Sequence, residues 1–441
     1  MKRRAFLGAS AGTAAALTGI NGCKVEKIQP AGRTPSVGRI AGLTLEELRE
    51  QYRYDLFDDF LPFMDKYVID HELGGFMCNT DRAGNNITTS KGAWYEGRGT
   101  WVYSFLYNKV RQDPKYLEVA RKSVEFTLKH RPDGDVLWPG SYSKEGKELN
   151  GRQDIYGGLF IANGLSEYSK ALNDDSYWDI AKDILIRHMR IYDSTDYEYK
   201  VTYFKPEPPL LPAPRVLGHW MVLIRLATQM LEFKSDPEVE ALADRCIDAI
   251  MNYHYNPAYG LMNEALNHDL SRAGDGYEQF SYTGHAIETL WMVMFEAERR
   301  KDKALYDRTV EMFKRHVEIS WDDVYGGAFR CLDHVDNNTW KVDKVLWLQE
   351  EILIGTLFMI EHTGDRWAKE WFDKMYTYVH DKFPLKQYGY PLWILGADRK
   401  VTFVEEYGRI GNFHHPRHLM LNLLSIERMI ERGGKISGLF A

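Results

Sequence analysis

The sequence predicts an all-α chain folded as an (α/α)6 barrel, a closed ring of inner and outer helices joined through short β-hairpins. Three observations lead there. Apolar residues recur at helical spacing in about twelve stretches, while long β-type alternation is scarce. A glycine-centred segment recurs after helices and before a Gly/Asp/Asn-rich turn. The resulting helix–hairpin–helix units differ in length and share no strict consensus, which favours a closed toroid of about six pairs over an open α-solenoid.

The first helix opens at Leu43-Thr44-Leu45-Glu46-Glu47-Leu48, with Thr44 as N-cap and Glu47 at the capping-box distance. It continues through Tyr52, Leu56, Phe57 and Leu61. Residues 99–110 form a second helix and 116–130 a third. Further helices are predicted over 155–172, 176–190, 215–233, 237–255, 279–299, 303–318, 347–363, 365–381 and 414–431. The punctuation reads Glu72-Leu73-Gly74-Gly75-Phe76 before Asp81, and Tyr259-Gly260-Leu261 before Glu264. It returns as Tyr325-Gly326-Gly327-Ala328-Phe329 before Asp333, and as Tyr388-Gly389-Tyr390 before Asp398. Glycine there supplies the positive φ that a tight hairpin turn needs.

Residues 1–23 read as an export signal: Lys2, Arg3 and Arg4 precede a small apolar stretch from Ala5 to Ile20, too short and Ala/Gly-rich for a membrane span. Arg3-Arg4 with Phe6-Leu7 resembles a twin-arginine signal, with Lys2 where Ser or Thr is usual. Ile20-Asn21-Gly22-Cys23 resembles a lipobox, which would make Cys23 a lipid anchor; a soluble product cleaved nearby is the alternative. The expected location is therefore periplasmic, or membrane-attached through that anchor alone. Residues 24–42 look like a tether and 43–441 like a single catalytic domain.

The net charge of −7, with no basic run and no zinc-finger spacing, argues against nucleic acid as a partner. Apart from Cys23, the cysteines are Cys78, Cys246 and Cys331, too few and too scattered for a disulfide framework or a Cys-based zinc site. The aromatic share is 13%, with 12 Trp and 27 Tyr. These residues can fill a core or stack on sugar rings.

Five clusters carry candidate chemistry. In Trp94-Tyr95-Glu96-Gly97-Arg98, the Arg98 fork could meet sugar hydroxyls or simply stack among aromatics. In Gly284-His285-Ala286-Ile287-Glu288, His285 and Glu288 share a helix face with Trp291, as an acid–base pair or as a satisfied core histidine. Trp347 and Glu351 stand four apart on another helix; a solvated Glu350-Glu351 end is the plainer reading. In Phe413-His414-His415-Pro416-Arg417, Pro416 suits a first helical turn, with His414 and His415 just before it. A helix N-terminus favours the neutral imidazole, the form a proton acceptor needs; exposed loop histidines are the alternative. Arg215 and His219, four apart at a helix start, fit a structural role as well as a functional one. HExxH, Walker and GxGxxG motifs do not occur, and no GxSxG elbow is found, the match at Gly8 to Gly12 lying inside the signal stretch. No metal or cofactor is called for.

Gly284-His285-Ala286-Ile287-Glu288 with Trp291, followed by Phe413-His414 with Pro416-Arg417, resembles the N-acylglucosamine 2-epimerase family. The other clusters fall in that family's order, from about residue 43 to 431. The resemblance implies an (α/α)6 barrel with its hairpins on the active-site side. It implies a 2-epimerase or aldose–ketose isomerase acting on a mono- or disaccharide. It assigns proton exchange to His285 and His414. Glu288 becomes the partner carboxylate and Arg98 the hydroxyl-binding arginine. Glu351, Trp291, Trp347, Arg215, His219 and Arg417 become substrate-pocket residues. Leu346 departs from the usual paired Trp. Phe413 and Pro416 look like the monosaccharide branch, while His219 sits where the disaccharide branch carries a His.

The implied reaction opens the sugar ring, removes the C2 proton with one His and returns a proton to the opposite face from the other. Protonation at C1 instead gives the ketose. An (α/α)6 hydrolase or lyase using Glu288 and Glu351 is the competing class, and a non-catalytic sugar-binding lipoprotein the third. Monomer and homodimer both remain open.

Overall fold

The computed structural model describes residues 36–441 except 82, 153, 200–210, 275–276, 386–391, 394–395, 398 and 401–410. The export signal, Cys23, tether residues 24–35, Tyr388-Gly389-Tyr390 and Asp398 lie outside the described residues. Residues 35–441 form one unit. No helix among the described residues is long and apolar enough to cross a membrane.

Two kinds of helix alternate along the chain. Those buried along most of their length are α3 (Ala93–Phe105), α5 (Tyr156–Leu172), α7 (Leu217–Phe233), α9 (Thr283–Arg300), α11 (Leu346–Thr363) and α13 (His414–Glu431). Those with one apolar face lie outside: α1 (Leu45–Tyr54), α4 (Pro114–Lys129), α6 (Asp175–Asp193), α8 (Pro237–Asp248), α10 (Lys303–Ser320) and α12 (Arg366–Lys382). A π-helical turn, Asp55–Phe60, continues α1 into α2 (Leu61–Tyr67) as one rod. Consecutive inner helices pack side by side, and α13 returns to the π turn that ends α3, Leu106–Val110. Each outer helix backs the inner helix before it, except α1, which backs α13. The predicted (α/α)6 barrel is thus the observed fold.

The Thr44 capping box forms as predicted: Thr44 Oγ1 accepts from the Glu47 amide at 3.1 Å and Glu47 Oε2 from the Thr44 amide at 2.8 Å. Helix α3 begins six residues before the predicted start of 99, because Gly97 and Gly99 read locally as breakers. Packing overrides propensity. A Cβ on Gly97 would lie 2.2 Å from the Phe160 backbone, and one on Gly99 would lie 2.1 Å from the Phe76 ring. Gly97 thus lets α3 press against α5, and Gly99 lets the Phe76 ring pack on α3.

Short strands pin the N-terminal ends of inner helices. Lys91–Gly92 pairs with Ser141–Tyr142, Arg215–Val216 with Ala265–Leu266, and Lys344–Val345 with Gly396–Ala397. Tyr255–Asn256 and Leu261–Met262 form the predicted hairpin around Gly260, at φ +66°. The two Gly-Gly segments differ from expectation: each closes by a single bridge, Ile69 to Phe76 and Trp321 to Ala328. They belong to an internal repeat. Asp70 accepts from the Glu72 and Leu73 amides and pairs with buried Lys91 at 2.9 Å. Asp322 accepts from the Val324 and Tyr325 amides and pairs with buried Lys344 at 2.8 Å. Five residues beyond each lysine, Glu96 and Gln349 accept from the amides of Phe76 and Ala328.

These pairs set the acid limit of the fold. Burial alone would raise the Asp322 carboxyl, but hydrogen bonds from Lys344 and Arg399 outweigh it and hold it at about 2. Glu361 is likewise held at about 2 against its burial, by Arg428 and Ser425. Both folded values lie below the ordinary carboxylate value of about 4. Their stabilisation is therefore complete above pH ~4 and is lost as pH falls toward 2. Urea midpoints measured across that window should fall steeply, and less steeply for Asp322→Asn.

Candidate active site

A cavity of about 260 Å3 lies where the inner helices begin. Every inner helix contributes from its first six residues. Trp94, Tyr95 and Arg98 come from α3, Tyr156 and Phe160 from α5, and Met221 from α7. His285 and Glu288 come from α9, Trp347 and Glu350 from α11, and His414 and His415 from α13. The six outer rods all start with a capping side chain: Thr44, Asp113, Asp174, Asp236, Asp302 and Asp365. Among the described residues, none of the six inner helices is capped by the side chain at its own N-cap position. At α5, Asp154 one residue earlier accepts from the Tyr156 amide. The positive ends of the inner helices therefore converge on the cavity, where they favour developing negative charge.

His285 sits in the first turn of α9, and its Nδ1 lies 2.8 Å from Glu264 Oε1. This corrects the expected pairing with Glu288. Glu264 is fully buried and is carried to the site by the strand Ala265–Leu266, while its carbonyl accepts from the Leu217 amide. The Tyr282 ring meets His285 edge-on at 4.1 Å. The space is made by glycine: a Cβ on Gly218 would lie 2.3 Å from Tyr156 Oη and 2.8 Å from His285 Cε1. Gly218→Ala is expected to shift His285 and to cost about 10²-fold in kcat at nearly unchanged Tm; steady-state kinetics beside a thermal melt would check it.

His414 is the first residue of α13 rather than a loop residue before it. Its Nδ1 lies 2.8 Å from Glu351 Oε1 and 3.8 Å from Glu288 Oε1. Arg417, one turn on and buried, donates to Glu288 at 2.6 Å and also to Glu351. Trp291 Nε1 donates to Glu351 Oε2 at 2.7 Å. Burial raises the Glu351 carboxyl, and Arg417 opposes the rise. Trp347 stands between the two histidines, its ring 6.1 Å from His285 and 5.3 Å from His414. Gly284 gives it room, since a Cβ there would lie 2.6 Å from the indole.

Five residues expected to bind substrate do not line this cavity. Glu351, Trp291 and Arg417 lie behind it as the buried support of His414 and Glu288. Arg215 stacks on Tyr192 and lies 2.5 Å from His268 Nδ1. His219 is fully buried among Tyr156, Tyr192, Tyr197 and Tyr199, and burial keeps its ring neutral. Arg98 stacks among aromatics and also lines the cavity: its guanidinium lies over Phe160 at 4.1 Å and Phe413 at 5.0 Å.

The sequence reading missed Glu264, Tyr156, Arg330, Asn412 and the Glu350–His415 pair. Glu264 was visible only as a turn acid after Gly260. Glu350 is fully buried rather than solvated, held by His415 Nδ1, with His418 Nδ1 at 3.5 Å. Burial pushes Glu350 up to about 7, against the His418 hydrogen bond. Burial also lowers His415 to about 3.

Two donor sets have the composition of a metal site: Glu350–His415–His418 and Glu288–Glu351–His414, each with ligand atoms within 4.8 Å of one another. In the second, the Arg417 guanidinium already bonds both carboxylates. In the first, His415 and Glu350 already bond each other. Both sets read best as hydrogen-bonded networks.

Comparison with known proteins fits this arrangement. The family described as N-acylglucosamine 2-epimerase (GlcNAc 2-epimerase) matches residues 74–416. N-acylglucosamine 2-epimerase from Bos taurus is 23% identical over 410 residues, covering 90% of this chain and 95% of that protein. Cellobiose 2-epimerase from Ruminococcus albus is 25% identical over 353 residues, covering 75% and 87%. The crystal structure of a sugar epimerase from a ruminal bacterium superposes with a TM-score of 0.73 at 20% identity, over 88% of this chain and all of that one.

Proposed function

The chain belongs to the N-acylglucosamine 2-epimerase family and is a carbohydrate epimerase; from that premise we propose that His285 and His414 epimerise a reducing sugar at C2. One observation carries the reading. Two histidines in one cavity each commit Nδ1 to a buried carboxylate, Glu264 and Glu351. A carboxylate accepts, so Nδ1 carries the hydrogen and proton exchange runs through Nε2.

The open-chain sugar lies along Trp347. One Nε2 takes the C2 proton, and the electron pair moves toward the C1 carbonyl to form an enediolate. The positive ends of the inner helices and the Arg98 guanidinium stabilise the charge that develops on oxygen. The second histidine, as imidazolium, gives its proton to the opposite face of C2. A cavity of about 260 Å3 favours a one-ring substrate over a longer one.

The test is a proton NMR time course in D2O with N-acetylglucosamine and cellobiose as probes. The expected result is loss of the C2 proton signal with growth of the C2 epimer and no other mass change. Deuterium entering C1 with a ketose product would make the enzyme an isomerase. Release of glucose from cellobiose would make it a hydrolase.

A further inference from the structure

A second cavity, about 630 Å3, opens at the other end of the inner helices. Met221 lines the first cavity and Arg225, one turn later on α7, lines the second. About 6 Å of helix separates them. Arg225 is 7% exposed, and its buried Nε and Nη1 donate to no described residue. Its guanidinium rests on Trp291 at 5.4 Å and on Phe295 at 5.0 Å, and burial pulls it down to about 10.

The nearest hydrogen-bonding groups are already matched, and the carboxylates Glu232 and Glu298 attract it only through space. Glu167 accepts from Asn108 at 2.8 Å and Lys170 at 3.0 Å, Gln229 accepts from Asn163, and Arg428 is engaged by Glu361. A buried guanidinium without an acceptor is costly. The charge therefore points to an external acceptor that enters the cavity.

The remaining lining selects among anions. Phe233, Phe295, Leu421 and Leu424 supply an apolar wall, while Glu232 and Glu298 lie at the more exposed edge. Burial raises Glu298 to about 7, so Glu232 carries most of the negative charge at that edge, and it repels a dianion such as phosphate more than a monoanion. We propose that this cavity is a binding site for a small apolar monocarboxylate, its carboxylate on Arg225 and its tail against the Phe and Leu side chains.

Saturation-transfer NMR on the full chain, with sodium butyrate as probe, tests this. Transfer to butyrate is expected at millimolar concentration, undiminished in Arg98→Met, which alters only the first cavity. Arg225→Met should weaken binding roughly tenfold or more, the value of a lost charged hydrogen bond. Glu232→Gln is an exposed change that leaves folding intact, and it should tighten binding a few-fold. The proposal is overturned if wild type shows no transfer at tens of millimolar, if Arg225→Met binds normally, or if Glu232→Gln leaves the affinity unchanged. Displacement of butyrate by a lower concentration of inorganic phosphate would overturn the ligand class.

Discussion

His414→Ala and His285→Ala should each lower C2 hydrogen exchange by about 10²–10⁴-fold, the usual contribution of a positioned acid or base. Each histidine is the group expected to touch the reacting carbon, and each is only partly exposed, at 14% for His285 and 19% for His414. No bulk water replaces either one cheaply. The two variants need not fail identically. The histidine that removes the proton from a given epimer controls exchange from that epimer. If each variant still washes deuterium into one epimer but not the other, each face of C2 has its own base. Glu264→Gln sharpens the test. A glutamine can donate to Nδ1, which moves the hydrogen to Nε2 and disables the base without removing it. Loss comparable to His285→Ala, in a protein with a normal melt, would assign Glu264 its positioning role. An unchanged rate in any of the three would remove that residue from the mechanism.

Arg417→Met should be the most destabilising single change at the site, by about 3–5 kcal/mol, because it leaves Glu288 and Glu351 buried without their cation. Both carboxylates are nearly inaccessible, and one guanidinium nitrogen bonds both. Denaturant unfolding would measure the loss. A merely bulky Arg417 predicts that Glu288→Gln does nothing for Arg417→Met. The ion network predicts that Glu288→Gln restores part of the stability, since it removes one of the two stranded charges. The same double variant should stay inactive, because His414 depends on the geometry of Glu351 as well as its charge.

The outer half of the barrel is written locally. An Asp or Thr at the N-cap position and a one-sided apolar stripe mark each outer rod, and such signals survive in a window of a few residues. The inner half is not local. Helix α11 is apolar in every direction, so its sequence says that it is buried but not against what. Helix α3 hides behind glycines whose purpose is visible only once Phe160 and Phe76 lie against them. The site followed the same division. His285 and His414 were readable from short motifs. The partner of His285 was not, because the i+3 carboxylate Glu288 is the obvious neighbour on a helix while the real one, Glu264, arrives on a strand 21 residues earlier. The Arg417 fork likewise joins α9, α11 and α13, which no single segment announces. Arg215 and His219 drew attention by residue type, yet their surroundings are a cage of tyrosines rather than the cavity.

The pairing of α1 with α13 has a consequence for synthesis. Every other outer rod meets its inner partner within the same stretch of nascent chain. The first rod waits for the last: the Val37 amide meets the Gly434 carbonyl at 2.7 Å, and Tyr52 Oη lies 3.0 Å from His418 Nε2. His414, His415 and Arg417 arrive on that same final helix. Five-sixths of the ring can assemble on the ribosome with His414 still unmade. The ring therefore closes and the second histidine proposed for proton exchange takes its place in one late event, so turnover would itself report that the ring has closed.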